Sequence, residues 1–308
     1  MKVLIVANYN KGHFAAFVLE QIQALRLLGV EIETYGKVGK GPLGYLRNIM
    51  GIHRKIRSFK PDLIHAHYGL CGLLANIQRQ VPVVTTYHGS DIHSGGWQLK
   101  LSQIAMRLSA YNIFVSKKLF DLSGYRKANA CVQSCGVDLD LIKVVPRLEA
   151  REKLGLDAQL QFGLFSSSFD NQIKNAPLAI AAVEKLPNVQ LKELKGYSRE
   201  EVNLLMNACD FQLTTSFRES GPLVVKEAMA CGTPVVSVDV GDVKDVMGET
   251  AGCYIAEKDA DDIANKIEQA LAFNGKTDGR QRISDLGLEN KVIAKRIVDI
   301  YQQVSKRY

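Results

Sequence analysis

Glu219 and Glu227 stand with seven residues between them in the stretch Thr214-Thr-Ser-Phe-Arg-Glu-Ser-Gly-Pro-Leu-Val-Val-Lys-Glu-Ala-Met-Ala-Cys-Gly-Thr-Pro-Val-Val-Ser237. The pattern reads as strand, loop, helix, cap and strand. Pro222 suits a first helical turn, Gly232 suits the position just past a helix end, and Pro234 forbids continuation. A helix beginning here offers free backbone N–H groups around Gly221, Leu223 and Val224 and roughly half a positive charge, which together make an anion site. A carboxylate beside an anion site repels phosphate and so calls for a second kind of ligand. Sugar hydroxyls supply one, because carboxylates accept hydrogen bonds from vicinal diols, and a nucleotide sugar carries hydroxyls on both sides of its diphosphate. Solvent-facing glutamates placed for favourable amino-end electrostatics have the same spacing, and spacing alone leaves both readings open.

The histidines are the second group with chemistry in reach. His65 and His67 alternate at a strand end, and His88, Asp91 and His93 follow. They read either as a zinc or iron cluster or as buried, hydrogen-bonded strand histidines with one histidine in a cleft. In Asn8-Tyr-Asn-Lys-Gly-His-Phe14 the single Gly12 falls far short of a G-x-G-x-x-G dinucleotide fingerprint.

Parallel strands with covering helices would position these residues. Strand-like runs at 2–7, 30–35, 63–67, 83–87, 112–115 and 130–133 are separated mostly by helix-period segments, and the alternation resumes at 160–165, 189–194, 211–215, 234–238 and 252–255. That repetition predicts an α/β chain with two doubly wound, Rossmann-like halves whose strand carboxyl ends face a shared cleft. The break around 144–157, with Pro146 and a charged run, sets the expected boundary. Residues 1–157 form one domain and 158–308 the other, with the last helix, about 288–308, as a candidate to pack back across the first.

Composition narrows the class. The 308 residues are 46% hydrophobic and 23% charged, as in ordinary globular proteins, and no run approaches a membrane span. A cytosolic chain, complete from Met1, is the expectation. Six cysteines do not make a disulfide framework. The net charge of +7 divides unevenly: residues 1–150 carry 19 Lys/Arg against 9 Asp/Glu, and the remainder 20 against 23. Residues 34–61 hold seven basic side chains and no acid. This stretch is either a solvated face or a transient contact with anionic lipid at the inner face of the membrane; nothing resembles a nucleic-acid module.

The ordered motifs resemble the retaining glycosyltransferases of family 4, also called group 1. Glu219 and Glu227 match that family's E-x7-E signature. Pro61-Asp-Leu-Ile-His-Ala-His67, Thr86-Tyr-His-Gly-Ser-Asp91, Cys135-Gly-Val-Asp138 and Lys174-Asn175 are similar to its other segments, in its order. The resemblance implies a GT-B architecture, with the acceptor on the first domain and the nucleotide-sugar donor on the second. It implies that Glu219 contacts the transferred sugar, Glu227 the ribose, Lys174 the diphosphate, and His88 the donor near the reacting centre. Ser166, Ser167, Gly221, Leu223 and Val224 fall on the donor side; Gly12, His13 and Asp91 fall on the acceptor side, where His13 reads equally as a surface histidine. No cofactor and no divalent metal are expected, because Lys174 and a helix amino end can stabilise a departing diphosphate.

Two departures stand out. The family's Arg before the Lys is absent from Gly163-Leu-Phe-Ser-Ser-Ser-Phe169, and Pro222 removes one N–H from the anion site. The implied function is hexosyl transfer with retention from a UDP-sugar, in preference to a GDP-sugar, to an acceptor hydroxyl in cell-envelope polysaccharide or lipopolysaccharide synthesis. A nucleotide-sugar epimerase and a catalytically weak partner subunit are the alternatives.

Overall fold

The computed structural model describes residues 1–9, 12–39, 41–273 and 275–307, those from 41 to 46 as backbone only. The chain forms two compact units, Met1–Cys135 with Asn290–Tyr308, and Gly136–Glu289.

In the first unit six strands pair in parallel: β1 (Lys2–Asn8), β2 (Glu31–Lys37), β3 (Leu63–His67), β4 (Val83–Tyr87), β5 (Tyr111–Phe114) and β6 (Ala130–Val132). Their order is β2-β1-β3-β4-β5-β6. Val3 to Ala7 are all buried, the continuous apolar run that a strand covered on both faces requires. Ile52, Ile56 and Phe59 of helix Gly41–Phe59 pack with Leu4, Val6 and Ile64 into one core cluster. Tyr87, Met106, Phe114 and Leu119 form a second. Strand order reverses between β1 and β3, and ligands of open α/β sheets gather outside the carboxyl ends at such a point. Asn8, His67 and, just after β4, His88 lie there.

The second unit holds β7 (Gln161–Phe165), β8 (Val189–Lys192), β9 (Phe211–Thr214), β10 (Val235–Val238) and β11 (Cys253–Ala256). They form a parallel sheet ordered β11-β10-β9-β7-β8, which reverses between β7 and β9. The carboxyl ends at that point lead into Ser166 and Thr215.

Each strand overlaps a run expected from the sequence. The domain limits fall elsewhere. Helix Arg147–Leu154 belongs to the second unit, because Arg147 and Arg151 both pair with Asp210, at 2.8 and 2.7 Å, and Arg151 Nε donates to the Ala208 carbonyl. The charged run is a docking helix with a buried arginine. Helix Asn290–Ser305 belongs to the first unit, where Tyr301 is fully buried. Pro222 occupies the N-cap ahead of helix Leu223–Ala230, one position before the first turn expected for it.

All six cysteines are free thiols, and burial pushes Cys71, Cys209, Cys231 and Cys253 up to about 12. Among the described residues no helix is long and apolar enough to cross a membrane.

Candidate functional site

In the second unit the predicted donor residues converge on the β7/β9 switch point. Gln172–Lys174 is a 3-10 turn that ends at Asn175, whose φ of 55° is left-handed. Asparagine tolerates that conformation better than most side chains, which is the physical sense of Asn after Lys here. Thr215 Oγ1 donates toward the carbonyls of Lys174 and Asn175 at 3.1 and 3.0 Å, and Phe217 N donates to the Ile173 carbonyl at 3.0 Å. The turn is thereby fastened to the loop carrying Glu219. Lys174 Nζ lies 2.6 Å from Glu219 Oε1, and Ser216 Oγ donates to the same oxygen at 2.7 Å.

Helix Leu223–Ala230 begins beside this pair, so its first N–H groups, including those of Leu223 and Val224, lack intrahelical partners. Gly221 lies in the loop just ahead. Gly241, at φ 58°, backs onto that loop: a Cβ there would come within 2.8 Å of the Ser220 backbone. The neighbouring Asp242 pairs with buried Lys226 at 2.7 Å and ties the turn to the helix.

Glu227 is buried and pairs through Oε1 with Arg199 at 2.5 Å. Burial pushes its carboxyl above the ordinary value, and the Arg199 guanidinium pulls it partly back. Ser166, at the end of β7, is 5% exposed, and its hydroxyl has no hydrogen-bond partner among the described residues. Ser167 Oγ accepts from Asn171 Nδ2 at a long 3.4 Å.

In the first unit His65, His67 and His88 stack. Ring centroids are 4.6 Å apart for His65–His67 and 5.2 Å for His67–His88. Both nitrogens of His65 are engaged, Nδ1 with Tyr301 Oη at 2.6 Å and Nε2 with Thr86 Oγ1 at 2.7 Å, so the ring has no lone pair left for a metal. Among the described residues no group of three or more His, Cys, Asp or Glu is placed to hold a metal ion. Tyr68, with a strained φ of 75°, sets its ring 5.0 Å from that of His88.

Asp91 accepts from the backbone N–H groups of Gly69 and Gly89, at 2.9 and 2.8 Å. It therefore braces the loop carrying His88. Asp91 also lines a cavity of about 220 Å³ with Asn8, Lys37 and Tyr68. Gly12 and His13 are exposed.

Two family models match the chain. Residues 4–141 match Glycosyltransferase Family 4, and residues 184–285 match Glycosyl transferases group 1. The second match spans both Glu219 and Glu227. The chain belongs to the group 1 glycosyltransferases.

Among its relatives is the glycosyltransferase TuaC of Bacillus subtilis, named for teichuronic acid biosynthesis and 28% identical over 245 residues. The match takes in 69% of this chain and 62% of TuaC, so the chain spans about three fifths of that relative's length. The fold is GT-B. Sucrose-phosphate synthase from Thermosynechococcus elongatus superimposes with a TM-score of 0.86 at 18% identity over 100% of both chains. HepE of Anabaena, in complex with UDP, does so with a TM-score of 0.78 at 19% identity, over 98% of this chain and 100% of its own.

Two site residues escaped the sequence reading of this group 1 chain. Arg199 carried a usable signal: Ser198-Arg-Glu-Glu201 is a capping box, with both of its hydrogen bonds present, which places Arg199 at the first position of a helix. Its pairing with Glu227 had none. Tyr301 reaches His65 across 236 residues of sequence and had no signal either.

Proposed function

We propose that this chain transfers a hexosyl group from a UDP-sugar to an acceptor hydroxyl, with retention of configuration, in the assembly of a cell-envelope polysaccharide or lipopolysaccharide. The observation that carries the reading is the pairing of both signature glutamates, Glu219 with Lys174 and Glu227 with Arg199, beside the free amino end of helix Leu223–Ala230. An incoming diphosphate takes Lys174 from Glu219 and meets the helix N–H groups and the unpartnered Ser166 hydroxyl. Glu219 is then free to accept from hydroxyls of the transferred sugar. Glu227 keeps one oxygen on Arg199 and offers the other to the ribose diol.

In the transfer the bond between the anomeric carbon and the diphosphate oxygen breaks. Lys174 and the helix end stabilise the charge that develops, which makes a divalent metal unnecessary in this reading. The acceptor oxygen bonds to the same face of the sugar, and its proton passes to the departing diphosphate. His88 hydrogen-bonds at the reacting end. The neighbouring HepE structures are complexes with UDP, with UDP and glucose, and with UDP-glucose, and TuaC is named for an envelope polymer; both support the choice of donor and acceptor.

The acceptor places the reaction at a membrane surface. Helix Gly41–Phe59 buries Ile52, Ile56 and Phe59 and exposes Arg47, Met50, Arg54 and Arg57, which recur every three or four residues along its outer face. A basic face with a protruding methionine suits transient docking on anionic lipid at the inner face of the cytoplasmic membrane. Co-sedimentation with phosphatidylglycerol vesicles, weakened in Arg54→Glu/Arg57→Glu and absent with phosphatidylcholine, is the expected outcome.

The test of function is incubation with labelled UDP-hexoses in EDTA, with and without an envelope lipid extract. Label passing to the extract, with the anomeric configuration kept, supports transfer. Donor rearrangement without any acceptor marks an epimerase instead, and no turnover in either arm favours a partner subunit.

A further inference from the structure

The histidine stack leaves one polar atom unexplained. His67 Nδ1 and His88 Nε2 are 3.0 Å apart and share a hydrogen bond. The other nitrogen of His67, Nε2, is buried in a fully buried residue and has no partner among the described residues. Two neutral arrangements make the shared bond. In one, His67 donates from Nδ1–H to His88 Nε2, and the orphaned His67 Nε2 is a bare lone pair. In the other, His88 donates from Nε2–H, and His67 must then carry its own proton on Nε2, as an N–H sealed away from any acceptor. A neutral imidazole has one donor and one acceptor nitrogen, so no third neutral arrangement makes the bond. Both leave an unsatisfied atom, but a buried N–H without an acceptor is the costlier and rarer of the two.

A charged ring is disfavoured by the surroundings. Phe17 lies against both His67 and His88 from the helix after β1, and Tyr68 packs on His88. Tyr301 and Thr86 are committed to His65. The nearby carboxylate, Asp91, is occupied by the N–H groups of Gly69 and Gly89.

We infer that His67 is a positioning residue, which locks His88 as the Nδ1–H tautomer so that His88 presents an N–H donor to its ligand. His65 and His67 are fully buried, and His88 alone of the three reaches the surface. Its Nδ1 is the polar atom left for a ligand. Resting on the transferase reading above, this makes His88 a donor to an oxygen of the bound substrate and bars it from acting as the base that takes the acceptor proton. The donor must then offer an oxygen lone pair at that position, and an analogue lacking that oxygen binds more weakly.

The experiment is long-range 1H–15N correlation of the imidazole rings at neutral pH in the full chain, with His88 assigned by its loss in His88→Asn. The expected result is a protonated Nδ1 and an unprotonated Nε2 for His88. In His67→Leu, which keeps bulk without a donor, His88 reverts to the Nε2–H form that histidine favours in water. In His67→Asn, whose amide takes the place of Nδ1–H, the wild-type pattern returns. Turnover follows: kcat/KM for the donor falls about tenfold in His67→Leu, the value of one lost hydrogen bond, and recovers in His67→Asn.

His88 protonated on Nε2 in the wild type overturns the proposal, as does equal behaviour of the two variants. If His67→Leu does not fold, the wild-type spectrum and His67→Asn decide. The tautomer is read whether or not the protein turns over a UDP-sugar, so failure of the transferase reading and failure of this one remain distinguishable.

Discussion

Glu227 and His67 show how much a single buried group depends on its partner. Glu227 is almost wholly buried, and Arg199 is the cation paired with it. Arg199→Ala strands that charge, which is expected to cost about 3 kcal/mol of stability. It also pushes the carboxyl further up, so that ribose binding weakens at neutral pH. Urea denaturation with a UDP titration checks both, and Arg199→Lys should recover part of each. The histidines act in the opposite sense. Burial holds His65, His67 and His88 below the usual histidine value, His67 at about 4. Between pH 6.5 and 4 the unfolded chain therefore binds more protons than the folded one, and stability falls as the medium is acidified. The expected slope is about 1.4 kcal/mol per pH unit for each histidine still neutral in the fold. Urea midpoints measured across that range should fall steeply in the wild type and less so in His67→Asn. At this scale the sequence was only half legible. Glu219, Glu227 and Lys174 could be singled out because their neighbours in sequence form the motif; Arg199 and Tyr301 could not, because they reach the site only through folding.

At the scale of elements, the strands were legible for a physical reason: in a sheet covered on both faces each strand is a short, nearly unbroken apolar run between turn signals. Helix Arg147–Leu154 was misplaced because its dominant side chains are charged, and a charged run reads as a linker until Asp210 is seen to collect two of its arginines. The terminal helix was legible both as a helix and as a candidate to pack back on the first domain; that Tyr301 is the residue it buries there is what periodicity does not reveal. The loop before helix Leu223–Ala230 depends on a glycine outside the motif. Gly241→Ala drives a Cβ into the Ser220 backbone and strains a left-handed φ, displacing Gly221 from the anion site. The expected outcome is at least a tenfold loss of UDP affinity by calorimetry, with circular dichroism unchanged. Wild-type affinity in that variant would show that the loop tolerates the shift.

For the whole molecule, two parallel sheets each place a cluster of candidate site residues at their own point of strand reversal, His67 and His88 in the first unit, Ser166, Lys174 and Glu219 in the second. Family membership rests on matches across both units, and the proposed reaction needs both. The second unit carries the central claim, that a nucleoside diphosphate binds through Lys174 and the amino end of helix Leu223–Ala230. The most direct measurement is a thermal-shift titration of UDP, beside GDP and ADP, into wild type and Lys174→Ala, in EDTA throughout. A ligand at a hundredfold excess over its Kd stabilises the folded state by about 2.7 kcal/mol. The predicted result is a saturable, EDTA-resistant shift with UDP that is lost in Lys174→Ala. No shift with any of the three nucleotides, or an unchanged shift in Lys174→Ala, would contradict it.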